Sequence, residues 1–395
     1  MTLGFLQEEE LDNALKLLGE TSQQMYYMQA RDFLQKKYHK NVKLVNSGSE
    51  ALYRVFMHVK PKIKNKRVLV PAYTCYAPVK AAITSGLKVV LVDVTDNFGI
   101  DINLCEKTEN VGAIVVVHPY GIPLDMKHFQ ELAEAKSAIL IEDFAQSYGA
   151  EIENNDVGTF GDYSILSFRL GKHISGIVGG AVFSEEEVRV SEEKLSAVYL
   201  EPQIRMVKRM LTKKNHEPKI TREERKSNIL QAPRSLYLKG RKIAKASKII
   251  IKAYAHRPNW EQGTMSNSQA HLTYTQLMKG KKIVSERNRI AQKIFGFCEK
   301  SDISKPEIKP HSSPSFISVP LLCKNRDRLE QILRKKRVYY EKKYDYSNVR
   351  LFPFLKRIGG ENSIRISREI ITFSTDPFHA LTGNYDQLEE MLADV

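Results

Sequence analysis

The strongest constraint on the fold of this chain is an alternation of short apolar runs with longer helical stretches over residues 40–184. The runs are rich in β-branched residues and end in small or acidic ones, and four of them are 68–71, 89–94, 113–117 and 138–143. Strands without in/out alternation are usually buried on both faces, and helices between them indicate parallel pairing. The pattern predicts an α/β domain with a mainly parallel sheet, in which ligands bind beyond the carboxyl ends of the strands.

Patterns further along the chain predict three regions. Residues 1–184 are an N-terminal arm and the large α/β domain, in which strand-like runs at 163–168 and 180–184 close the series. Residues 185–260 are a basic helical insertion, and residues 261–395 are a linking helix and a smaller C-terminal α+β domain. The last region has a helical pattern from Gln269 to Phe297, and its later elements are an extended segment at 315–320 and helices at 326–336 and 385–393.

The bulk composition excludes several classes of protein. Apolar residues make up 42% of the 395, which allows a substantial buried core and disfavours disorder. The first residues lack a basic region followed by an apolar stretch, and no apolar run approaches the ~18 residues that span a bilayer. The four cysteines are far apart and form no CxxC pair, so neither a disulfide framework nor a metal site is predicted. We therefore expect a cytoplasmic protein.

The net charge of +15 is concentrated in one stretch, residues 205–252, which we call the basic segment. It contains 16 Lys and Arg against 3 Asp and Glu. Its basic and apolar residues recur at helical spacing on roughly opposite faces, so a helix there would be amphipathic. Such a helix either packs its apolar side on the protein, or contacts an acidic substrate or an anionic membrane at the inner surface. Nucleic acid is disfavoured, because no binding motif with interleaved aromatics accompanies the charge.

Asp143 is the first candidate for chemistry. It ends the apolar run 138–143 and is expected at the carboxyl end of a buried strand. An isolated buried carboxylate is costly, so it needs a cationic or hydrogen-bonding partner. A protonated pyridine nitrogen is a suitable partner, because an acid there keeps the ring an electron sink. The alternative is an aspartate that caps the next helix.

Lys172 follows Asp143 by 29 positions, in the stretch SFRLGKHISG at residues 167–176. A lysine between two apolar strands and among glycines is expected where a ligand can reach it, and not on a solvated surface. Covalent attachment of a carbonyl cofactor requires such an amine, with a pKa lowered by its surroundings. Ser167 offers a hydroxyl that can contact a phosphate. The alternative for Lys172 is an ordinary loop lysine.

The stretch VNSGSEAL at residues 45–52 is the third candidate. An apolar strand runs into Ser47, Gly48 and Ser49, and a helical pattern begins directly afterwards. Small residues at a helix N-terminus expose backbone N–H groups and the positive end of the helix dipole, which makes a phosphate site. There is no GxxxxGK, so nucleotide hydrolysis gains no support. The alternative is a simple serine N-cap.

Taken together, these stretches point to one family of proteins. The chain resembles the DegT/DnrJ/EryC1/StrS family, the pyridoxal-phosphate-dependent sugar aminotransferases of fold type I. The matching stretches are SGSEAL (47–52), PAYT (71–74), HPYG (118–121) with Asp125, EDFAQSYGA (142–150), GTFGD (158–162), SF (167–168), Lys172 and GGA (179–181). Weaker likeness continues at 265–270, 276–277 and 370–381.

The resemblance implies a role for each matching residue. Lys172 would form the imine link with the cofactor and later move a proton between the substrate and the cofactor. Asp143 would pair with the pyridine nitrogen, and Gln146 would contact the phenolic oxygen of the ring. Three residues would hold the phosphate: Gly48, Ser49 and Ser167. The cofactor implied is pyridoxal 5'-phosphate.

The resemblance also implies a reaction and an assembly. An amino acid, usually glutamate or glutamine, would aminate the cofactor, and the amino group would pass to the keto group of a nucleotide-linked sugar. The product would enter polysaccharide, glycolipid or secondary-metabolite synthesis. Family members are dimers with active sites at the subunit interface, so a homodimer is expected. The alternatives are a sugar dehydratase and a transaminase of a non-sugar ketone.

The chain departs from the family pattern at three places. The aromatic that usually follows the Thr of PxxT and stacks on the ring is replaced by Cys75, and Tyr76 either takes over the stacking or is a core residue. The Asn and Arg that usually reach the phosphate from the neighbouring subunit would fall near Gln262 and Thr264, with Asn259 or Arg257 as substitutes. Dehydratases of the family carry His in place of the lysine, and here His173 follows Lys172; the downstream glycines favour Lys172 as the match.

Overall fold

The structure, a computed structural model, describes residues 5–19, 24–190, 197–212, 263–298 and 303–377, together with residues 379, 383–385 and 388. Within these ranges a central sheet has eight strands in the order β1-β9-β8-β5-β4-β2-β3-β12. The strands are β1 (Asn41–Val45), β2 (Arg67–Pro71), β3 (Lys88–Val92), β4 (Ala113–Val117), β5 (Ile139–Asp143), β8 (Tyr163–Ser167), β9 (Gly180–Ser184) and β12 (Lys356–Ile358). The six strands from β8 to β12 are parallel, and β9 is antiparallel to both of its neighbours. The predicted α/β fold with a mainly parallel sheet is confirmed.

Helices cover both faces of this sheet. The described helices up to residue 212 are α1 (Glu8–Lys16), α2 (Met25–Tyr38), α3 (Gly48–Val59), α4 (Ala77–Thr84), α5 (Ile102–Glu106), α6 (Met126–Ala135) and α7 (Ala197–Thr212), with short 3-10 turns at Leu17–Gly19 and Pro119–Gly121. Val68 and Val70 of β2 pack with α3 and α4, whereas Leu69 between them packs with α6 on the opposite face. Because successive strand side chains point to opposite faces, an uninterrupted apolar run fits a strand buried on both sides.

The C-terminal region has its own small sheet. Its elements are the helices α8 (Asn267–Met278), α9 (Gly280–Phe297), α10 (Arg326–Lys335), α11 (Asn348–Leu351) and α12 (Glu361–Glu369) and the strands β10 (Ser312–Ser313), β11 (Ser318–Leu322) and β13 (Ile370–Ser374). Strands β11 and β13 pair antiparallel. The short strands β6 (Glu151–Ile152) and β7 (Asn155–Asp156) form a separate small sheet with β10. A second core includes Leu321, Leu329, Ile366 and Phe373, as an α+β unit requires.

The C-terminal region is joined to the central sheet at the end of β3. Strand β12 pairs with β3 at the edge of the large sheet. The carboxylate of Asp93 accepts backbone N–H bonds from Gly360 at 2.8 Å, Asn362 at 3.0 Å and Ser363 at 2.8 Å. These are donors at the start of α12 that would otherwise have no intrahelical partner. A strand from the C-terminal region is thus a structural part of the large sheet, and the domain boundaries stay a prediction.

Some predicted elements differ from the structure or lie outside the described residues. The helical pattern from Gln269 to Phe297 is two helices, α8 and α9, which meet at Lys279 and Gly280. Residues 205–212 of the basic segment belong to α7, and residues 213–252 lie outside the described residues. Of the helix predicted at 385–393, only residues 385 and 388 are described. Among the helices that are described, none is long and apolar enough to cross a membrane.

Candidate active site

Asp143 is the last residue of β5 and lies at the carboxyl edge of the parallel sheet. The residue is buried, and its Oδ1 accepts the backbone N–H of Ala145 at 3.0 Å. Residues 144–150 form turns, so Asp143 does not cap a helix, and this alternative for its role is wrong. Burial raises the pKa of the Asp143 carboxyl, and the Ala145 N–H and the charge of Lys172 partly offset that rise. A buried carboxylate with so little local compensation is suited to a cationic ligand.

Lys172 lies in the loop between β8 and β9, partly buried, and its backbone N–H donates to the carbonyl of Arg169 at 3.0 Å. Burial lowers the pKa of the Lys172 amine to about 8. Cys75 and Asp143 act in the opposite direction, and the positive charges of Lys343 and Arg169 lower the pKa further. The charges of the Lys172 amine and the Asp143 carboxylate therefore act on each other. An amine with a pKa near neutrality is a far better nucleophile than an ordinary lysine.

The three predicted phosphate-binding residues meet at the start of α3. Ser47 is the N-cap, and its hydroxyl accepts the N–H of Glu50 at 3.0 Å. The N–H groups of Gly48 and Ser49 come before Glu50, where a helix supplies no acceptor. A Cβ on Gly48 would lie 2.8 Å from the Cβ and 3.0 Å from the Oγ of Ser167. Glycine thus allows the end of β8 to approach the helix terminus, and the serine N-cap and the anion cradle are compatible.

Gln146 is held beside the site by the HPYG stretch. Its side chain is buried, and Oε1 accepts the backbone N–H of Tyr120 at 3.3 Å. Tyr120 has a left-handed backbone with φ of 59°, and the hydroxyl of Ser147 donates to the carbonyl of His118 at 2.8 Å. Because Oε1 is occupied, the amide N–H groups of Gln146 are the part of the side chain that can contact a ligand oxygen.

Glu142 precedes Asp143 on β5 and holds the surrounding loops. Its fully buried carboxylate contacts Nε2 of His118 at 3.1 Å and accepts backbone N–H bonds from Gly158 at 2.7 Å, Phe160 at 2.9 Å and Gly161 at 3.0 Å. Burial alone would raise the pKa of Glu142, but the His118 bond and the backbone donors outweigh burial and hold the pKa below its ordinary value. The sequence shows Glu142 only as part of the EDFAQSYGA motif and predicts no role for it.

Cys75 and Tyr76 occupy different environments. Cys75 is partly exposed, and charges of Lys172 and Asp143 act on its thiol, whose pKa is raised by burial. Tyr76 precedes α4 and packs against the core beneath α3 and α4. This packing favours the interpretation of Tyr76 as a core residue, and stacking on a cofactor ring stays a prediction.

His173 follows Lys172 and contacts a backbone carbonyl in the protein interior. It is buried, and Nε2 lies 2.5 Å from the carbonyl oxygen of Ser315. Burial, together with the charge of Arg287, holds the pKa of His173 well below its ordinary value. A neutral histidine engaged with a backbone carbonyl is suited to a structural role, and the catalytic role of Lys172 stays a prediction.

Thr264 contributes little to the expected contact between one subunit and the cofactor phosphate of the other. The Thr264 hydroxyl donates to the carbonyl of Leu44 at 3.1 Å, and the residue forms a bridge with Val45. The hydroxyl is therefore used within its own chain. Residues 257–262, which include Arg257, Asn259 and Gln262, lie outside the described residues.

Two cations of the site, Arg169 and Lys343, are not predicted from the sequence. Arg169 stands three residues before Lys172 and was quoted only as part of its stretch. Lys343 comes from the C-terminal region, 171 positions after Lys172, in a stretch without a family motif. Only the packing of that region against the edge of the large sheet brings Lys343 to the site, so no local signal could have identified it.

Comparison with known proteins supports the family. Residues 8–201 match the sequence model of the DegT/DnrJ/EryC1/StrS aminotransferase family. UDP-4-amino-4,6-dideoxy-N-acetyl-beta-L-altrosamine transaminase of Campylobacter jejuni is 32% identical over 161 residues, which cover 40% of this chain and 42% of that protein. GDP-4-keto-6-deoxy-D-mannose 3-dehydratase of Yersinia pseudotuberculosis is 30% identical over 188 residues, 45% of this chain and 46% of that protein. The matched part is thus less than half the length of each of these relatives.

Solved structures share the fold over nearly the whole chain. A Helicobacter pylori protein, PseC, described as an aminotransferase of pseudoaminic acid biosynthesis, superposes with a TM-score of 0.73 at 15% identity and covers 100% of this chain and 99% of its own. At that identity the likeness concerns the fold, a fold type I architecture that extends beyond the residues matched by the family.

Proposed function

Because residues 8–201 of this chain belong to the DegT/DnrJ/EryC1/StrS aminotransferase family, we propose that the protein is a pyridoxal-phosphate-dependent aminotransferase. It moves an amino group from glutamate or glutamine to the keto group of a nucleotide-activated sugar, for polysaccharide, glycolipid or secondary-metabolite synthesis. The observation that carries the proposal is the meeting of Asp143, Lys172 and the Gly48 cradle at one edge of the sheet.

The side chains present fit pyridoxal phosphate. The cradle of Gly48, Ser49 and Ser167 supplies backbone N–H and hydroxyl donors at a helix N-terminus, which suit a phosphate. The contact of Gly48 with Ser167 leaves no room for a Cβ, so the cradle depends on glycine. The buried carboxylate of Asp143 suits a protonated pyridine nitrogen, and the amine of Lys172 suits an aldehyde.

Different residues of the site have different roles in the proposed reaction. Pyridoxal phosphate, when bound, supplies a carbonyl for the amine and an electron sink for the charge that develops at the substrate carbon. The Asp143 carboxylate would hold a proton on the ring nitrogen, and the N–H groups of Gln146 would contact the ring oxygen. The neutral Lys172 amine would act as the general base that takes the proton from the donor α-carbon. Its lowered pKa raises the fraction of neutral amine near neutral pH.

We expect the rate at which cofactor-free protein captures pyridoxal phosphate to rise with pH and to level off above about pH 8. Only the neutral amine attacks an aldehyde, and burial lowers the pKa of Lys172 to about 8 from an ordinary value of ~10.4. Stopped-flow absorbance at a series of pH values measures the rate, with Lys172→Ala as the blank. A rate that keeps rising toward the pKa of an ordinary lysine would show that Lys172 is not perturbed.

The second candidate is sugar dehydration, since one relative of comparable identity is a 3-dehydratase. The position of His173 argues against it: this histidine contacts the Ser315 carbonyl and is buried with Arg287 nearby, whereas Lys172 is the residue whose amine shares the environment of Asp143. A transaminase of a non-sugar ketone uses the same residues and is separated only by its acceptor.

The experiment that separates these activities follows the nitrogen. Cofactor-loaded protein is incubated with ¹⁵N-labelled L-glutamate, or amide- and amine-labelled glutamine, and with a panel of UDP-, GDP- and dTDP-linked 3- and 4-keto sugars. We expect ¹⁵N in a sugar product by mass spectrometry and an equal amount of 2-oxo acid. A deoxy sugar with release of ammonia would favour the dehydratase, and a loaded protein that labels no keto sugar while aminating simple ketones would favour the third activity.

The assembly and location belong to the same proposal. We expect a homodimer with active sites at the subunit interface, as the family resemblance implies. Thr264 does not support this contact, because its hydroxyl is used within its own chain. A cytoplasmic location suits an enzyme of nucleotide-sugar metabolism. Most of the basic segment lies outside the described residues, so its contact with an anionic membrane stays a prediction.

A further inference from the structure

Lys343 is a second lysine of the site, and none of the roles above uses it. Its backbone carbonyl accepts hydrogen bonds from the hydroxyl of Tyr73 at 3.1 Å and of Tyr120 at 3.4 Å. The two hydroxyls are 2.6 Å apart, and both tyrosines are fully buried. Tyr73 belongs to the PAYT stretch and Tyr120 to the HPYG stretch, each directly after a strand of the large sheet. The backbone of Lys343 is therefore fixed at the edge of the sheet where the other site residues lie.

The side chain of Lys343 is oriented by two polar partners. Its Nζ donates to the hydroxyl of Ser318 at 3.1 Å and lies 3.4 Å from Oε2 of Glu341. The other carboxylate oxygen of Glu341 accepts the hydroxyl of Tyr339 at 2.7 Å. An ammonium has three N–H donors, so one donor has no acceptor among the residues that the structure describes. The side chain is 26% exposed, which leaves it accessible to a small ligand.

The charge of Lys343 reaches the reacting amine. After burial and the opposing effects of Cys75 and Asp143, the Lys343 charge is among the causes that lower the pKa of Lys172. It also contributes to the lowered pKa of the adjacent His173, whose first cause is burial. Lys343 therefore lies close enough to the Lys172 amine for its charge to act there.

We propose that Lys343 binds the α-carboxylate of the amino-acid donor and so selects α-amino acids as donors. The proposal rests on the proposed function, because that reaction brings the donor α-carbon to the amine of Lys172. The carboxylate is one bond from that carbon and needs a cation or several donors within reach. Lys172 carries out the reaction itself. Of the described cations whose charges act on its amine, Arg169 is exposed to solvent, whereas Lys343 is held in place by polar partners.

The test compares Lys343→Met with Lys342→Met in the cofactor-loaded protein. Methionine keeps the length of the side chain and removes the charge. Lys342 is the matched control, because its Nζ pairs with Glu330 at 3.0 Å and takes no part in the contacts of Lys343. The donor half-reaction is followed by the absorbance of the cofactor, and the affinity for glutarate, an unreactive dicarboxylate, is measured by calorimetry.

We expect Lys343→Met to raise the KM for L-glutamate and weaken glutarate binding by roughly 10- to 100-fold, the range of a lost charge-assisted hydrogen bond. The kcat should change less, since the carboxylate contact is made equally before and during proton transfer. Lys342→Met should behave as wild type, and Lys343→Arg should restore part of the affinity. For 4-aminobutyrate, which is glutamate without its α-carboxylate, Lys343→Met should change the KM much less than it does for L-glutamate.

Several outcomes would overturn the proposal. Unchanged glutarate and glutamate affinities in a folded Lys343→Met protein, checked by thermal melting, would do so. So would an equal loss with 4-aminobutyrate, or a loss of UDP affinity in place of glutarate affinity, which would assign Lys343 to the sugar nucleotide. If wild type reacts with no amino acid, the proposed function fails instead, and the glutarate comparison still decides whether Lys343 is a carboxylate site.

Discussion

Replacing Lys172 with alanine is expected to reduce aminotransferase turnover by at least about a thousandfold, because one side chain supplies both the nucleophile and the general base. The variant should also lose the visible absorption band that the wild type shows once it is loaded with pyridoxal phosphate. The absorbance of the loaded protein and the initial rate with ¹⁵N-labelled glutamate measure the two effects.

Two comparisons separate loss of chemistry from loss of structure in this variant. Lys172→Arg retains the positive charge but cannot attack an aldehyde at accessible pH, so it should be as inactive as the alanine variant. Added methylamine should return part of the rate to Lys172→Ala, since a small amine can enter the space that the lysine leaves. A wild type that stays colourless with pyridoxal phosphate, or a Lys172→Ala protein with most of its activity, would refute the proposed function.

Replacing Glu142 with alanine is expected to lower the free energy of unfolding by about 3–5 kcal/mol, the typical cost of breaking a buried ionic hydrogen-bond network. The carboxylate accepts N–H groups of Gly158, Phe160 and Gly161 and contacts His118, and all of these lie in the interior beside the site. Urea denaturation followed by fluorescence measures the change.

The matched control is Glu186→Ala. Glu186 contacts His58 and Lys62 with a side chain that is 60% exposed, so solvent screens its interactions and the expected loss is much smaller than for Glu142→Ala. If Glu142→Ala were no more destabilising than this surface change, the buried network would not hold the site loops.

The stability supplied by Glu142 should also depend on pH. The folded-state pKa of Glu142 is lowered, so its contribution is fully present above the unfolded value of ~4.3 and is lost as pH falls through the folded-state pKa. The difference in unfolding free energy between wild type and Glu142→Ala should therefore shrink in acid. A difference that stays constant down to that range would mean that the charge of Glu142 contributes nothing.

Much of the large domain could be predicted because its signals are local. An apolar run such as Ala113–Val117 needs burial on both faces, and helices on both sides of the sheet provide it. The position of Asp143 at the end of β5 and the start of a helix at Gly48 follow from short stretches of sequence whose physics does not depend on distant residues. The break between α8 and α9 escaped prediction, since the helical pattern continues across Lys279 and Gly280.

The amino-acid sequence by itself determined the class of fold, the residues that end the strands, and the spacing that unites Asp143, Ser167 and Lys172. Tertiary structure alone decided that His173 contacts Ser315, that a partly buried Tyr76 packs against the core, and that Lys343 joins the site through a hydrogen bond from Tyr73, 270 positions away. The physical reason is range: hydrophobic periodicity and helix capping act over a few residues, whereas burial and the field of a charge depend on which distant segments pack together.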